Sequence, residues 1–340
     1  MPKSIYILLT LLSLLLMIWG AGCGENDAVQ PYELAVPQGF PSPMIPDDNI
    51  LNHERIALGK KLFFDKALSR DYSISCASCH HQEKAFTDGR PLSQGIKGQI
   101  GNRNSPTLVN LAWQPYFFAE GGSPSIEMQS LGPIEEAHEM GFNAREAVDR
   151  LAKIEAYQKE AQIAYGREFD LFVLTRGLAA FERTMVSGNS PFDQYQYQGN
   201  DTALNESEKR GLAVFTSEKA QCATCHPAPL FTDYSFHNIG LELEYEDEGR
   251  YRLTADKEDI GKFKVPSLRN IALTGPYMHD GRFETLEEVV EHFDGGGVTH
   301  PNVSEIIRPL GLTESEKIDL VAFLKSLTDQ NFVTNPAFQE

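Results

Sequence analysis

The sequence predicts a mainly α chain built as two domains of one kind. Apolar residues recur at helical spacing behind capping signals, few stretches alternate with period two, and one five-residue pattern, Cys-x-x-Cys-His, occurs at 76–80 and again at 222–226. Before the first copy, Ile56, Leu58, Leu62 and Phe63 mark a helix running into Asp65–Ser69. Phe169 to Leu174 and Leu178 to Phe181 read as a packed helix closing the first domain, and the polar, turn-rich stretch 189–200 as the boundary. Before the second copy, Asn205 and Glu208 form a capping box, with Leu212 and Phe215 continuing the apolar face. Thr285 then starts a helix with Leu286, Val289, Val290 and Phe293 on one face. Thr313 with Glu316 caps another, carrying Leu320, Val321, Leu324 and Leu327. Short helices joined by long Gly- and Pro-rich loops suit small domains whose cores are completed by a large bound group.

The repeated pattern says which group. Two thiols three residues apart on a turn reach both vinyls of one porphyrin, and the next residue, His80 or His226, then lies beneath the metal. A split zinc site would draw four Cys/His ligands from two nearby pairs, and paired disulfides would leave the repeated His unexplained. The reading is two covalent c-type haems, on Cys76, Cys79 and His80 and on Cys222, Cys225 and His226.

Four of the five cysteines are thereby used, and the fifth is Cys23. It follows Lys3, the apolar run Ile5–Trp19 and Gly20-Ala21-Gly22, the charged, apolar and small-residue parts of an export signal over 1–22. A Cys at this point resembles a bacterial lipoprotein signal, although Gly20 stands where such signals usually carry Leu; the alternative is an ordinary secretory signal with a spare thiol. Either implies a periplasmic protein, and the first implies attachment to the membrane through Cys23 alone, since no second apolar stretch nears the roughly 20 residues a span requires. Residues 23–46, rich in Pro and Gly, read as a tether, 47–198 as the first haem domain and 199–340 as the second. A net charge of −18 argues against nucleic acid; it suits a basic redox partner, or is simply a solvated acidic exterior.

Leu62-Phe63-Phe64-Asp65, Ser75 to His80, Phe86-Thr87-Asp88-Gly89, Arg103 to Thr107, Phe263 to Asn270, Thr274 to Gly281 and the last helix occur in the order of the bacterial di-haem cytochrome c peroxidase superfamily, which includes MauG. The chain resembles this superfamily over almost everything after the tether. The resemblance implies that the haem on His80 reacts with peroxide and the haem on His226 relays or stores electrons. It also implies a calcium ion between them, with Asn104 and the main chain of Thr274 and Pro276 at its ligand positions. Cleaving peroxide needs an open iron face, a base to move a proton between the two oxygens and a donor to orient them. Gln129, Pro133 and Glu139 stand at the family's spacing for these tasks: Glu139 as proton shuttle, Gln129 as donor, Pro133 as a wall without a ligand atom. From composition alone Glu135, Glu136 and Glu139 are a solvated helix face, and His138 is a rival base.

Three departures from the family pattern matter. Its switchable His ligand to the peroxide haem is absent: the loop reads Gly95-Ile96-Lys97-Gly98, and no His occurs between His81 and His138. The Met or Tyr on the far side of the second haem is replaced, fourteen residues past His279, by Phe293; water, Met278, His292 or no ligand remain as alternatives. The Trp expected between the haems falls in Ala119-Glu120-Gly121-Gly122, and the only Trp outside the signal, Trp113, reads as core.

The functions that follow are a peroxidase taking electrons from a small cytochrome c or copper protein (cupredoxin), a MauG-like oxidase acting with hydrogen peroxide on a partner protein, or a non-catalytic di-haem carrier. Gln129, Pro133 and Glu139 argue against the carrier. A second copy of the chain is a further expected partner.

Overall fold

The computed structural model describes residue 29 and residues 31–340; the export signal and Cys23 lie outside the described residues. The chain is mainly helical. α1 (His53–Phe64) is followed by α2 (Ile126–Gln129), α3 (Leu131–Glu135), α4 (Ala144–Leu151), α5 (Glu155–Tyr165) and α6 (Leu171–Glu182). Then come α7 (Pro191–Tyr197), α8 (Glu206–Phe215), α9 (Cys222–Cys225), α10 (Tyr251–Thr254), α11 (Leu286–Gly295), α12 (Glu314–Lys325) and α13 (Gln330–Val333). Among the described residues the named strands are β1 (Phe236–His237) and β2 (Phe263–Lys264), paired antiparallel. No described helix is long and apolar enough to cross a membrane. The expected capping boxes at Asn205, Thr285 and Thr313 are all formed.

Two hydrophobic cores organise the chain, each around a close helix crossing. In the first, α1 meets α6 where two glycines touch: a Cβ on Gly59 would fall 1.8 Å from the Gly177 carbonyl oxygen. In the second, α8 meets α12 in the same way, a Cβ on Gly211 falling 1.9 Å from the Asp319 carbonyl oxygen. Phe63, Phe86 and Phe181 fill the first core, and Phe215, Phe231 and Phe323 the second.

A repeat of 160 residues relates the two halves. Residues 103–133 recur as 263–293: Asn110 and Asn270 are both left-handed (φ 59° and 57°) and each opens a 3-10 turn, Leu111–Trp113 and Ile271–Leu273. The bridges Phe117–Ser123 and Tyr277–Phe283 follow, then Ser125 and Thr285 cap α2 and α11. The copies face each other reciprocally. Asn104 N–H donates to the His279 carbonyl (2.7 Å), and its mate Lys264 N–H donates to Ala119, the mate of His279 (2.7 Å). Such exchange of equivalent bonds is the signature of a two-fold arrangement.

Three packing features bear on the expected organisation. The stretch 189–200 is not simply a turn-rich linker: Ser190 and Asp193 form a capping box with Pro191 at the first helical position, so α7 forms, and Phe192 joins the second core. The last residues leave the second domain, for Phe332 and Phe338 pack on Phe86 in the first core, and Gln82 Nε2 donates to the Phe332 carbonyl (3.0 Å). The described part of the tether, 31–46, lies against the body. Met44 N–H donates to Ala112, Pro37 sits on Gly188, and the Phe40 ring contacts Trp113 and the Arg269 guanidinium. Trp113 is buried as expected, its Nε1 donating to the Pro41 carbonyl (2.8 Å).

Candidate active site

Each Cys-x-x-Cys-His segment forms one tight turn in which the His N–H donates to the first Cys carbonyl, His80 to Cys76 and His226 to Cys222, both at 3.0 Å. The ring is then fixed from behind. His80 Nδ1 lies 2.7 Å from the Phe86 carbonyl and His226 Nδ1 2.9 Å from that of Phe231. A carbonyl only accepts, so Nδ1 carries the proton and Nε2 keeps its lone pair for a metal. Phe86 and Phe231 adopt left-handed backbones (φ 62° and 54°), a conformation costing roughly 1–2 kcal/mol for a side chain of this size, spent in both halves at the residue that orients the His. Thr107 Oγ1 (to Ala85, 2.6 Å) and Ser267 Oγ (to Leu230, 2.7 Å) brace the preceding carbonyls. Burial holds both imidazoles below their ordinary pKa, favouring the neutral ligand form.

The four cysteines are unpaired, and burial pushes their thiols up, Cys79 and Cys222 each to about 11. Among the described residues, the grouping of three His, Cys, Asp or Glu ligand atoms close enough to share a metal is Cys225, Asp233 and His237, which includes neither His80 nor His226. The two motifs thus do not converge on a zinc site. Instead a cavity of about 380 Å³ borders Cys79, Ile74, Asp88 and Arg90, and one of about 580 Å³ borders Cys225, Asp233, His237 and Ser304. Neutral thiols and a lone pair on Nε2, twice over, fit two covalently attached haems.

Gln129 ends α2 and Pro133 lies one turn on in α3, so both are on one helical face. α2 is anchored by Glu127, whose carboxylate takes both Arg183 amino groups (2.6 and 3.0 Å) and the Asn49 amide (3.0 Å). Burial pushes that carboxyl up, but Arg183 and Asn49 outweigh it and hold it below the usual range. After α3 the chain turns back: Met140 N–H donates to Pro133 (3.1 Å) and Phe142 N–H to Ile134 (2.8 Å), setting Glu139 beside Pro133. Burial, then the charge of Glu136, pushes the Glu139 carboxyl up to about 7. The charge of Glu139 adds slightly to the upward push on the Cys76 and Cys79 thiols, after burial and the nearer acids. Glu136 instead faces solvent with His138 (3.2 Å), so the rival base points away.

The loop that lacks a switchable His is pinned against this acid. Ile96 N–H donates to the Glu139 carbonyl (2.9 Å), and the Ile96 side chain is buried against Gly141. A Cβ at position 95 would fall 2.0 Å from the His138 carbonyl oxygen, so only Gly permits the approach.

In the second half, Phe293 on α11 is the repeat mate of Pro133. His292 is committed elsewhere: its Nε2 donates to the Ile239 carbonyl (3.0 Å) and its ring contacts Phe283 and Phe293. Met278 is left-handed (φ 76°) in the 277–283 turn. Its mate Phe118 packs its ring on Gly132, next to Pro133. Asn104 meets the turn carrying Thr274 and Pro276 through its bond to His279, while its side-chain amide donates to the Arg90 carbonyl (2.6 Å).

The sequence reading missed the 160-residue repeat, which Pro106-Thr107-Leu108-Val109-Asn110 against Pro266-Ser267-Leu268-Arg269-Asn270 could have revealed. It also missed a stacked pair at the seam, Phe263 and His279, with ring centroids 4.0 Å apart and planes 15° from parallel.

Comparison with known proteins agrees. The family model described as di-haem cytochrome c peroxidase matches residues 53–202. The chain is 39% identical over 315 residues to the methylamine utilization protein MauG of Methylorubrum extorquens, covering 91% of this chain and 88% of that one. It is 33% identical to the cytochrome c551 peroxidase of Nitrosomonas europaea, covering 96% and 92%. A solved MauG-like protein associated with microbial copper homeostasis superposes with a TM-score of 0.85 at 34% identity, covering 90% of this chain and 98% of that one.

Proposed function

The chain belongs to the di-haem cytochrome c peroxidase family, and from that premise we propose that it is a peroxide-using oxidoreductase whose reacting site lies over His80, between Glu139, Gln129 and Pro133. The observation that supports this reading is Glu139: a carboxyl pushed up to about 7 by burial, in the turn folded back on Pro133, a residue without a ligand atom. A proton shuttle works best with a pKa near the operating pH. Two haems, held by Cys76, Cys79 and His80 and by Cys222, Cys225 and His226, supply the iron and the electron storage. Glu139 takes a proton from one oxygen of hydrogen peroxide and delivers it to the other, which leaves as water. The Gln129 amide orients the peroxide, and Pro133 keeps protein ligands off that face.

Electrons come in this reading from a small cytochrome c or cupredoxin, or from a residue of a partner protein that becomes oxidised. The absence of a switchable His favours the second, MauG-like source. Turnover with reduced small cytochrome c supports the first; the same assay without turnover, with oxidation of a co-purified partner, supports the second. We place the protein in the periplasm, tethered by lipid on Cys23, with a calcium ion at the seam held by Asn104 and the main chain of Thr274 and Pro276; mass spectrometry of the mature N-terminus checks the lipid. A homodimer is part of this proposal, and sedimentation checks it.

Purified holoprotein should contain two haems and one calcium per chain, and acid-acetone should extract neither haem. One haem per chain by pyridine haemochrome assay, or extractable pigment, would overturn the assignment of the two motifs.

Phe293 has no lone pair to offer iron, and His292 is bonded to Ile239. The second haem should therefore lack the phenolate signature of Tyr ligation and the near-infrared absorption of Met ligation, and should have a potential below that of a His/Met haem. Phe293→Met should raise that potential and introduce the Met absorption. A native Met band abolished by Met278→Leu would instead assign the ligand to Met278.

A further inference from the structure

The family's aromatic position between the haems is filled here by Ala119, and the repeat shows what stands opposite. Positions 119 and 279 are mates, and each carbonyl accepts a hydrogen bond from the other half across the seam. Where residue 119 brings a methyl group, residue 279 brings an imidazole, and it lies flat on Phe263. On the first-half side, the Arg103 guanidinium sits over the same Phe263 ring at 5.5 Å, held there by Asp247 (2.6 and 2.9 Å) and by Glu120.

We propose that Phe263, stacked on His279 and covered by Arg103, is the electronic bridge between the two haem-bearing motifs. From this stack a path of backbone and side-chain links reaches each motif. Arg103 lies two residues before Ser105, whose Oγ donates to the Cys79 carbonyl (3.2 Å). On the far side Phe263 is the strand partner of His237, which lines the cavity along Cys225 and has a ring nitrogen within 4.8 Å of the Cys225 sulfur. Cys79 and Cys225 are the second cysteines of their motifs, so the path joins the same edge of each attachment site. Stacked rings at this separation are in van der Waals contact, and planar groups held by ion pairs keep that contact from fluctuating. The transfer needs no proton and no net chemistry on the bridge: one electron leaves one iron, one arrives at the other, and Phe263 ends as it began.

This inference rests on the two-haem reading, so haem is counted first; fewer than two per chain refutes that reading rather than the bridge. The holoprotein carrying one electron and bound CO is then flashed, and the redistribution of the electron between the haems is followed by absorbance. Phe263→Leu should slow the exchange by about tenfold or more, because the contact chain is interrupted at its centre, with both haem spectra and both potentials kept. Phe263→Tyr should retain the parent rate, and Ala119→Trp added to Phe263→Leu should recover it by supplying a ring at the mate position. Should Phe263→Leu fail to fold, His279→Leu is the second variant, with the same slowing expected. Exchange at the parent rate in the Leu variants, or equal slowing in Leu and Tyr, overturns the proposal.

Discussion

Changing Glu139 to Gln should slow the reaction with hydrogen peroxide by about 10²–10⁴-fold, the usual contribution of a positioned acid–base group. Gln is nearly the same size and keeps the backbone bonds that set residue 139 beside Pro133 and Ile96, so the pocket should survive while the proton carrier is lost. The pH profile gives an independent check with a definite sign. Burial raises this carboxyl to about 7, so the group is a base above that value and is already protonated, unable to accept the peroxide proton, below it. The rate of reaction with peroxide should therefore rise with pH through about 7 and then level off, and this limb should vanish in Glu139→Gln. Stopped-flow absorbance under excess peroxide measures both. A variant as fast as the parent would return Glu139 to the solvated acidic face from which its neighbours Glu135 and Glu136 are drawn.

The second large effect is in the resting enzyme. Ile96 stands where a switchable His would be, locked by its own N–H to the Glu139 carbonyl, and its side chain has no atom that could cap the iron on His80. The fully oxidised protein should show a high-spin haem that is five-coordinate or weakly water-bound, and should react with peroxide without prior reduction. Electron paramagnetic resonance of the oxidised state, followed by peroxide addition, gives a yes-or-no answer. A wholly low-spin spectrum, with reactivity appearing only after one-electron reduction, would show that another residue supplies the cap. The pinning also predicts that this loop does not move between redox states, because Gly95 approaches the 138–139 backbone too closely for any side chain to intervene.

Both effects concern residues within a short stretch of sequence, so the proposed first site can be read from a local window. Gln129, Pro133 and Glu139 are four and six residues apart, so helix geometry puts the first two on one face and one reverse turn carries the chain from Glu139 back to Pro133. The Cys-x-x-Cys-His turns are five residues each, and their chemistry is written in residue type and order. Capping boxes at Asn205, Thr285 and Thr313 were readable for the same reason, since each joins a side chain to a backbone N–H three residues away. Even α7 was locally encoded, by Ser190, Pro191 and Asp193, but its polar composition hid it.

What tertiary structure alone decided involves partners far apart in the chain. Phe332 and Phe338 lie far along the chain from Phe86 yet pack on it, their rings buried in the first core. The reciprocal bonds of Asn104 with His279 and of Lys264 with Ala119 arise only when the two copies of the repeat face each other, and they bring Ala119 and His279 to the same seam. The stack of Phe263, His279 and Arg103 follows from that docking. Motif chemistry and helix caps are short-range and survive reading one window at a time; burial and domain docking are set by the total surface removed from water, a sum over the whole chain that no window contains.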